Sequence, residues 1–117
     1  MSNKYGAKKT TLYGETFDSQ VEGAHYLVLR AREEAGEITD LSIHPKFVIL
    51  DAFRANGKLY KATTYTADFS YRENGRLVVV DVKGMVTRDF VLRAKLFMSK
   101  YPLYRFVIVQ HGEERIL

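Results

Sequence analysis

The sequence predicts an α/β (α+β) fold, a mixed sheet of about four strands flanked by helices in the order α-β-β-β-α-β. Three observations predict it. Segments 19–36 and 87–100 carry helix-capping residues at their ends. Runs rich in Val, Ile, Phe, Tyr and Thr, which strands favour, occupy 46–50, 58–72, 76–83 and 104–110. Asn-Gly pairs at 56–57 and 74–75 mark tight turns.

Taken in order, residues 1–14 read as a basic arm ending at Gly14, with Lys4, Lys8 and Lys9 and no acid among the first nine residues. Residues 19–36 read as a helix, with Ser19 as N-cap and Gly36 just past its end. KFVIL at 46–50 reads as a strand following Pro45. Residues 58–72 read as one long strand, joined by the Asn74-Gly75 turn to its partner RLVVVDVK at 76–83, which Gly84 stops. A second helix, 87–100, starts at Thr87 and ends before Pro102, since a residue preceding proline is pushed out of the helical region. YRFVIVQ at 104–110 reads as a last, buried strand.

A length of 117 residues fits one domain over 1–117, and 46% apolar residues can build one core. So short a chain keeps much surface per volume, which favours self-association. The absence of cysteine excludes a disulfide scaffold or a zinc-thiolate site and fits a reducing, cytoplasmic setting. The polar, basic start is not a secretory signal, and no apolar run approaches the roughly 18 residues that span a bilayer, so no membrane partner is expected. Eighteen Lys and Arg against 14 Asp and Glu is a mild excess. It gathers in the N-terminal arm and in Arg88, Arg93, Lys95 and Lys100, an arrangement that suits a polyanion and equally suits solubility.

The chemistry lies in the hairpin. If Asn74-Gly75 is a two-residue loop, the register is fixed: Asp68 falls opposite Asp81, and Thr66 opposite Lys83. Side chains alternate along a strand, so Asp68, Asp81 and Lys83 are expected on one sheet face, with the opposed Cβ atoms about 5 Å apart. Two carboxylates at that spacing repel by roughly 3 kcal/mol at an effective dielectric near 20. A hard divalent cation with oxygen ligands would remove the repulsion, with Asp68 and Asp81 as its ligands and Lys83 just beyond. The plainer alternative is a surface Asp81–Lys83 pair contributing little.

Glu22 lies in the first turn of the first helix and shares a face with Tyr26 and Leu29, which points its carboxylate inward. Ser19 and Glu22 also form a capping-box pattern, in which the carboxylate turns back to the Ser19 N–H, and both readings stand. Arg88 and Lys95, seven apart on the second helix, can hold phosphate together with that helix's N-terminus. His25, His44 and His111 show no metal-ligand spacing and read as structural.

The segments TYTADF at 64–69 and DVKG at 81–84, preceded by a helix bearing Glu22, resemble the bipartite signature of the PD-(D/E)XK nucleases. The chain also resembles a family of small phage and prophage proteins along nearly its whole length, through NKYGAKKT, TFDSQVEGAHY, PKFVIL, YTADFSY, VDVKG and the KLF to YP stretch at 95–102. The motif order is similar to that of Holliday-junction resolvases, which act as dimers. The resemblance implies a restriction-endonuclease-like core and Mg²⁺-dependent hydrolysis of DNA, with Mn²⁺ able to substitute, in phage recombination, replication or packaging within the host cytoplasm. It implies that Asp68, Asp81 and the Val82 backbone carbonyl bind the metal, that Lys83 positions the attacking water, and that Glu22 is the helix acid. Lys4, Lys8, Lys9, Arg88 and Lys95 would grip the DNA backbone. Ala67 stands where the motif's name has Pro, Asp81 is the shorter acid, and Gln110 is a loosely matched auxiliary polar residue. Two other readings remain: a nucleic-acid-binding subunit without catalysis, and a structural dimerisation protein.

Overall fold

A computed structural model describes residues 9–117. Among these residues the fold is α+β, with two helices and eleven short strands. Strands β1 (Thr10–Leu12) and β2 (Glu15–Phe17) form a small hairpin around Tyr13-Gly14, both with positive φ, 52° and 79°. Residues 10–14 are therefore not an arm. Lys9 is exposed just before β1, while Lys4 and Lys8 lie outside the described residues.

Helix α1 (Gln20–Glu34) begins at Ser19, whose hydroxyl accepts the Glu22 N–H, and ends at Ala35. Gly36, at φ 79°, closes it, with its own N–H on the Glu33 carbonyl and the Glu37 N–H on that of Arg32. Gly23 faces the hairpin: a Cβ there would lie 2.5 Å from Thr10 Cγ2, so the hairpin can rest on α1 only because that side chain is missing.

Beyond α1 come β3 (Thr39–Ile43), β4 (Lys46–Leu50), β5 (Phe53–Ala55), β6 (Lys58–Tyr60), β7 (Thr63–Thr66), β8 (Phe69–Glu73) and β9 (Arg76–Val82). Helix α2 (Arg88–Lys100), capped by the Thr87 hydroxyl, leads to β10 (Arg105–Gln110) and β11 (Glu113–Arg115). The main sheet has five strands in the order β11-β10-β9-β8-β3. β9 and β10, joined through α2, are parallel, and the other neighbours are antiparallel. Two-stranded ribbons pair β4 with β7 and β5 with β6.

The central strand β9 is buried on both faces, hence its unbroken apolar run. Val78 and Val80 join Phe17, Tyr26, Leu29 and Phe69 beneath α1. Val79 joins Tyr65, Phe90, Ala94 and Phe97 beneath α2. No helix among the described residues is long and apolar enough to cross a membrane.

The expected long strand 58–72 is three strands with three different partners. Asn56-Gly57 folds β6 back on β5, β7 pairs with β4, and only β8 pairs with β9. Thr66 thus stands opposite Lys46 rather than Lys83. Thr- and Tyr-rich composition marks extended chain but carries no signal for a change of partner.

Candidate active site

The Asn74-Gly75 turn sets the register. Both residues have positive φ, 53° and 79°, as a two-residue hairpin loop requires. From Glu73–Arg76 to Phe69–Val80 the pairing is the one the sequence predicts. At Asp68 it slips. The Asp68 N–H donates to the Val80 carbonyl at 3.2 Å, so Asp68 and Phe69 both stand against Val80. Two residues against one is a β-bulge. It breaks the alternation: Ala67 packs under α2, while Phe69, two residues on, packs under α1.

The bulge opens a fork. The Ala67 N–H donates to the Pro45 carbonyl at 3.0 Å and the His44 N–H to the Asp68 carbonyl at 2.9 Å, so β7 and β4 leave the main sheet together. The carboxylate of Asp68 fills the gap they leave, its Oδ2 accepting the Val82 N–H at 2.7 Å. The end of β9 is therefore sealed on this side by a side chain instead of a strand.

Around that end stand the other groups. Asp81 alternates with Val79 toward α2, its side chain only 3% exposed. Its Oδ1 lies 3.5 Å from Lys83 Nζ, and its buried Oδ2 has no hydrogen-bond partner among the described residues. Lys83 Nζ sits 4.5 Å from the centre of the Phe90 ring, which brings the first turn of α2 alongside. Glu22 arrives from α1, also buried, with Oε1 2.8 Å from His44 Nε2. The Ser19 half of the capping box is present, but the Glu22 carboxylate faces the site. Glu22, His44 and Asp68 each offer one ligand atom, all within 4.8 Å of one another.

The electrostatics join the two halves. Burial pushes the Asp68 carboxyl up to about 7, helped by the charge of Glu22 and opposed by the Val82 N–H, Lys83 and His44. Burial likewise pushes Asp81 up to about 7, against the pull of Lys83, and Glu22 again raises it. Glu22 and Lys83 thus act on both aspartates, and His44 on Asp68.

Asp68, Asp81 and Lys83 therefore reach the same end of β9, but not as an opposed pair on a single sheet face. Asp68 turns toward Glu22 and His44, Asp81 toward Lys83, and the cluster straddles the strand end. The bulge is the reason. Arg88 and Lys95 are exposed on α2. Of the other α2 cations, Arg93 bonds Asp89 and the Thr64 carbonyl, and Lys100 bonds Asp51. Gln110 donates to the Gly84 carbonyl at 3.3 Å, bracing the turn after Lys83 rather than entering the cluster.

Residues 2–112 match the family described as Protein of unknown function (DUF1064). The chain belongs to this family. No curated protein matches it.

The site residue of this DUF1064 chain that sequence reasoning missed is His44. Its spacing to Glu22 and Asp68 follows no ligand motif, because it is set by sheet pairing. β3 lies beside β8 with Ile43 opposite Phe69, which delivers the next residue, His44, to the bulge. Recognising Thr39–Ile43 as a strand would have been the signal. Its Thr, Asp, Leu, Ser and Ile are too mixed to announce one.

Proposed function

We propose that the chain is a metal-dependent phosphodiesterase acting on DNA, built on a restriction-endonuclease-like core. One observation carries the reading: Glu22 from α1, Asp68 from the bulge before β8, and Asp81 and Lys83 from the end of β9 gather where β8 bulges away from β9. Buried carboxylates held near neutrality in their affinity for protons are a common mark of a working site.

The donor set fits a divalent cation. Carboxylate oxygens from Glu22 and Asp68, grouped with His44, suit Mg²⁺ or Mn²⁺, and the buried Asp81 Oδ2 has no hydrogen-bond partner among the described residues. Asp68, Asp81 and Glu22 would hold the ion, with the Val82 carbonyl beside them. Such an ion supplies Lewis-acid charge and a more acidic bound water. Lys83 orients the attacking water and offsets negative charge developing on the phosphate. Arg88, Lys95 and the N-terminus of α2 take neighbouring phosphates, and Lys4, Lys8 and Lys9 extend the grip. Backbone contacts of this kind carry no base information, so the reading favours shape recognition, as of a branched or four-way junction, by a homodimer in phage DNA recombination, replication or packaging. A protein that only binds nucleic acid gains nothing from a buried carboxylate oxygen without a partner, which weighs against that alternative.

The test is cleavage of branched and linear DNA with Mg²⁺ or Mn²⁺, beside EDTA controls and Asp81→Asn. Metal-dependent cutting that Asp81→Asn loses supports the reading. Equal cutting by both proteins removes Asp81 from it, and no cutting with either metal overturns it.

A further inference from the structure

The hairpin of β5 and β6 packs on neither core. Among the described residues its strands pair only with each other, and a two-stranded hairpin alone is barely stable in water. It nonetheless displays apolar groups: Phe53 is 44% exposed, Leu59 53% and Tyr60 40%. Phe53 stands directly opposite Tyr60, with the rings stacked at 5.1 Å and 11°.

Charge identifies the occupant. Residues 52–61 hold Arg54, Lys58 and Lys61 and no acid. Lys58 shares the aromatic face, its Nζ 5.9 Å from the Tyr60 ring, and Arg54 lies on the other. A second copy docked here about a two-fold axis would set three cations against three. A polyanion with flat apolar faces meets both halves of the surface.

We propose that this hairpin is a binding site for unpaired nucleotides, with Phe53 and Tyr60 stacking on bases while Arg54, Lys58 and Lys61 meet phosphates. It rests on the reading above only in taking nucleic acid as the partner. The ribbon of β4 and β7 joins the hairpin to the fork at His44 and Asp68. Phe53 lies nine steps along the chain from His44, so its backbone sits at most about 30 Å from that of His44. The aromatic pair therefore holds an arm of the substrate at a distance from the reacting phosphate, and it favours forked or branched DNA over plain duplex.

The experiment measures binding by fluorescence anisotropy in EDTA, using a fork with a single-stranded arm and a duplex of equal length. The full chain is compared with Phe53→Ala/Tyr60→Ala, with Phe53→Tyr/Tyr60→Phe, and with Arg54→Gln/Lys58→Gln/Lys61→Gln. Loss of both aromatics is expected to weaken fork binding about tenfold or more and duplex binding much less. The ring-preserving exchange should bind as wild type, which separates stacking from misfolding. The charge variant should weaken both ligands and flatten the salt dependence. An alanine or glutamine variant that binds the fork as wild type overturns the inference, and if wild type cuts DNA throughout, the hydrolytic reading survives it. A change in oligomeric state with unaltered DNA binding assigns the surface to a second copy instead. Hairpin-dependent fork binding by a wild type that never cuts supports this inference and overturns the hydrolytic one.

Discussion

The Asp68 carboxylate accepts the Val82 N–H at 2.7 Å, taking the place a neighbouring strand would hold in the ladder. A residue proposed to hold a cation thus also terminates the sheet, and substitutions can separate the two roles. Asp68→Asn keeps an acceptor for Val82 and removes the charge facing Glu22. Asp68→Ala leaves a partly buried N–H unpaired, which costs about 1–3 kcal/mol. In EDTA near pH 8, Asn is expected to be at least as stable as wild type, and Ala less stable, by thermal or urea unfolding. Both should lose the stabilisation that Mn²⁺ gives wild type. An Asn variant that melts as low as Ala would show that the charge itself supports the fold.

The pH dependence has a defined sign. Asp68 and Asp81 titrate near 7 in the folded protein and near 3.8 as free carboxyls. Between those values the folded state holds more protons than the unfolded state, so stability falls as pH rises. The contribution is complete below about pH 4 and lost by the time pH passes 7, with a slope on the order of 1.4 kcal/mol per pH unit for each group. Metal-free wild type compared with Asp68→Asn/Asp81→Asn should show that difference across pH 4–7 in chemical denaturation. Divalent cation at pH 7.5 should restore wild-type stability by mass action and leave the double variant unmoved. Parallel stability curves for the two proteins would mean that the carboxylates are not strained.

The elements legible in the sequence were those specified locally. Ser19 and Gly36 bounded α1, Thr87 began α2, and Asn74-Gly75 set the β8–β9 register. Each rests on backbone geometry that a few adjacent residues decide. What stayed hidden depends on partners distant in sequence. The bulge at Asp68 arises because the preceding residues follow β4, and His44 reaches the site through β3. The direction of Glu22 was undecided between Ser19 and the interior until His44 supplied a partner. Val82 shows the same limit: its place in a β-branched run was plain, but its N–H bond to a side chain was not.

Gly23 offers a test of how the first hairpin is docked. Alanine there gains helix propensity of about 1 kcal/mol but sets its Cβ 2.5 Å from Thr10 Cγ2. Overpacking of this kind costs about 1–3 kcal/mol, so Gly23→Ala should be destabilising by about 1 kcal/mol. Thr10→Ser removes the offending methyl. The double variant Thr10→Ser/Gly23→Ala is expected to recover wild-type stability or exceed it, giving a favourable coupling in a double-mutant cycle. Additive losses would mean that the hairpin yields without resistance.

His44 separates two arrangements of the cation site. Its Nε2 lies 2.8 Å from Glu22 Oε1, and its ring nitrogen is also one of the three ligand atoms within 4.8 Å. An imidazole among carboxylates shifts preference from Mg²⁺ toward Mn²⁺, because nitrogen donors suit transition metals better. Wild type should therefore bind Mn²⁺ more tightly than Mg²⁺, as measured by calorimetry and by the Mn²⁺ electron paramagnetic resonance signal. If His44 ligates the ion, His44→Ala lowers Mn²⁺ affinity about 10–100-fold and changes Mg²⁺ affinity much less. If it only holds Glu22 from behind, both affinities fall together by a similar factor. His44→Gln keeps a group able to hydrogen-bond Glu22 and so preserves Mg²⁺ affinity in either case. Unchanged binding of both metals in His44→Ala would remove His44 from the site and leave Glu22, Asp68 and Asp81 as its donors.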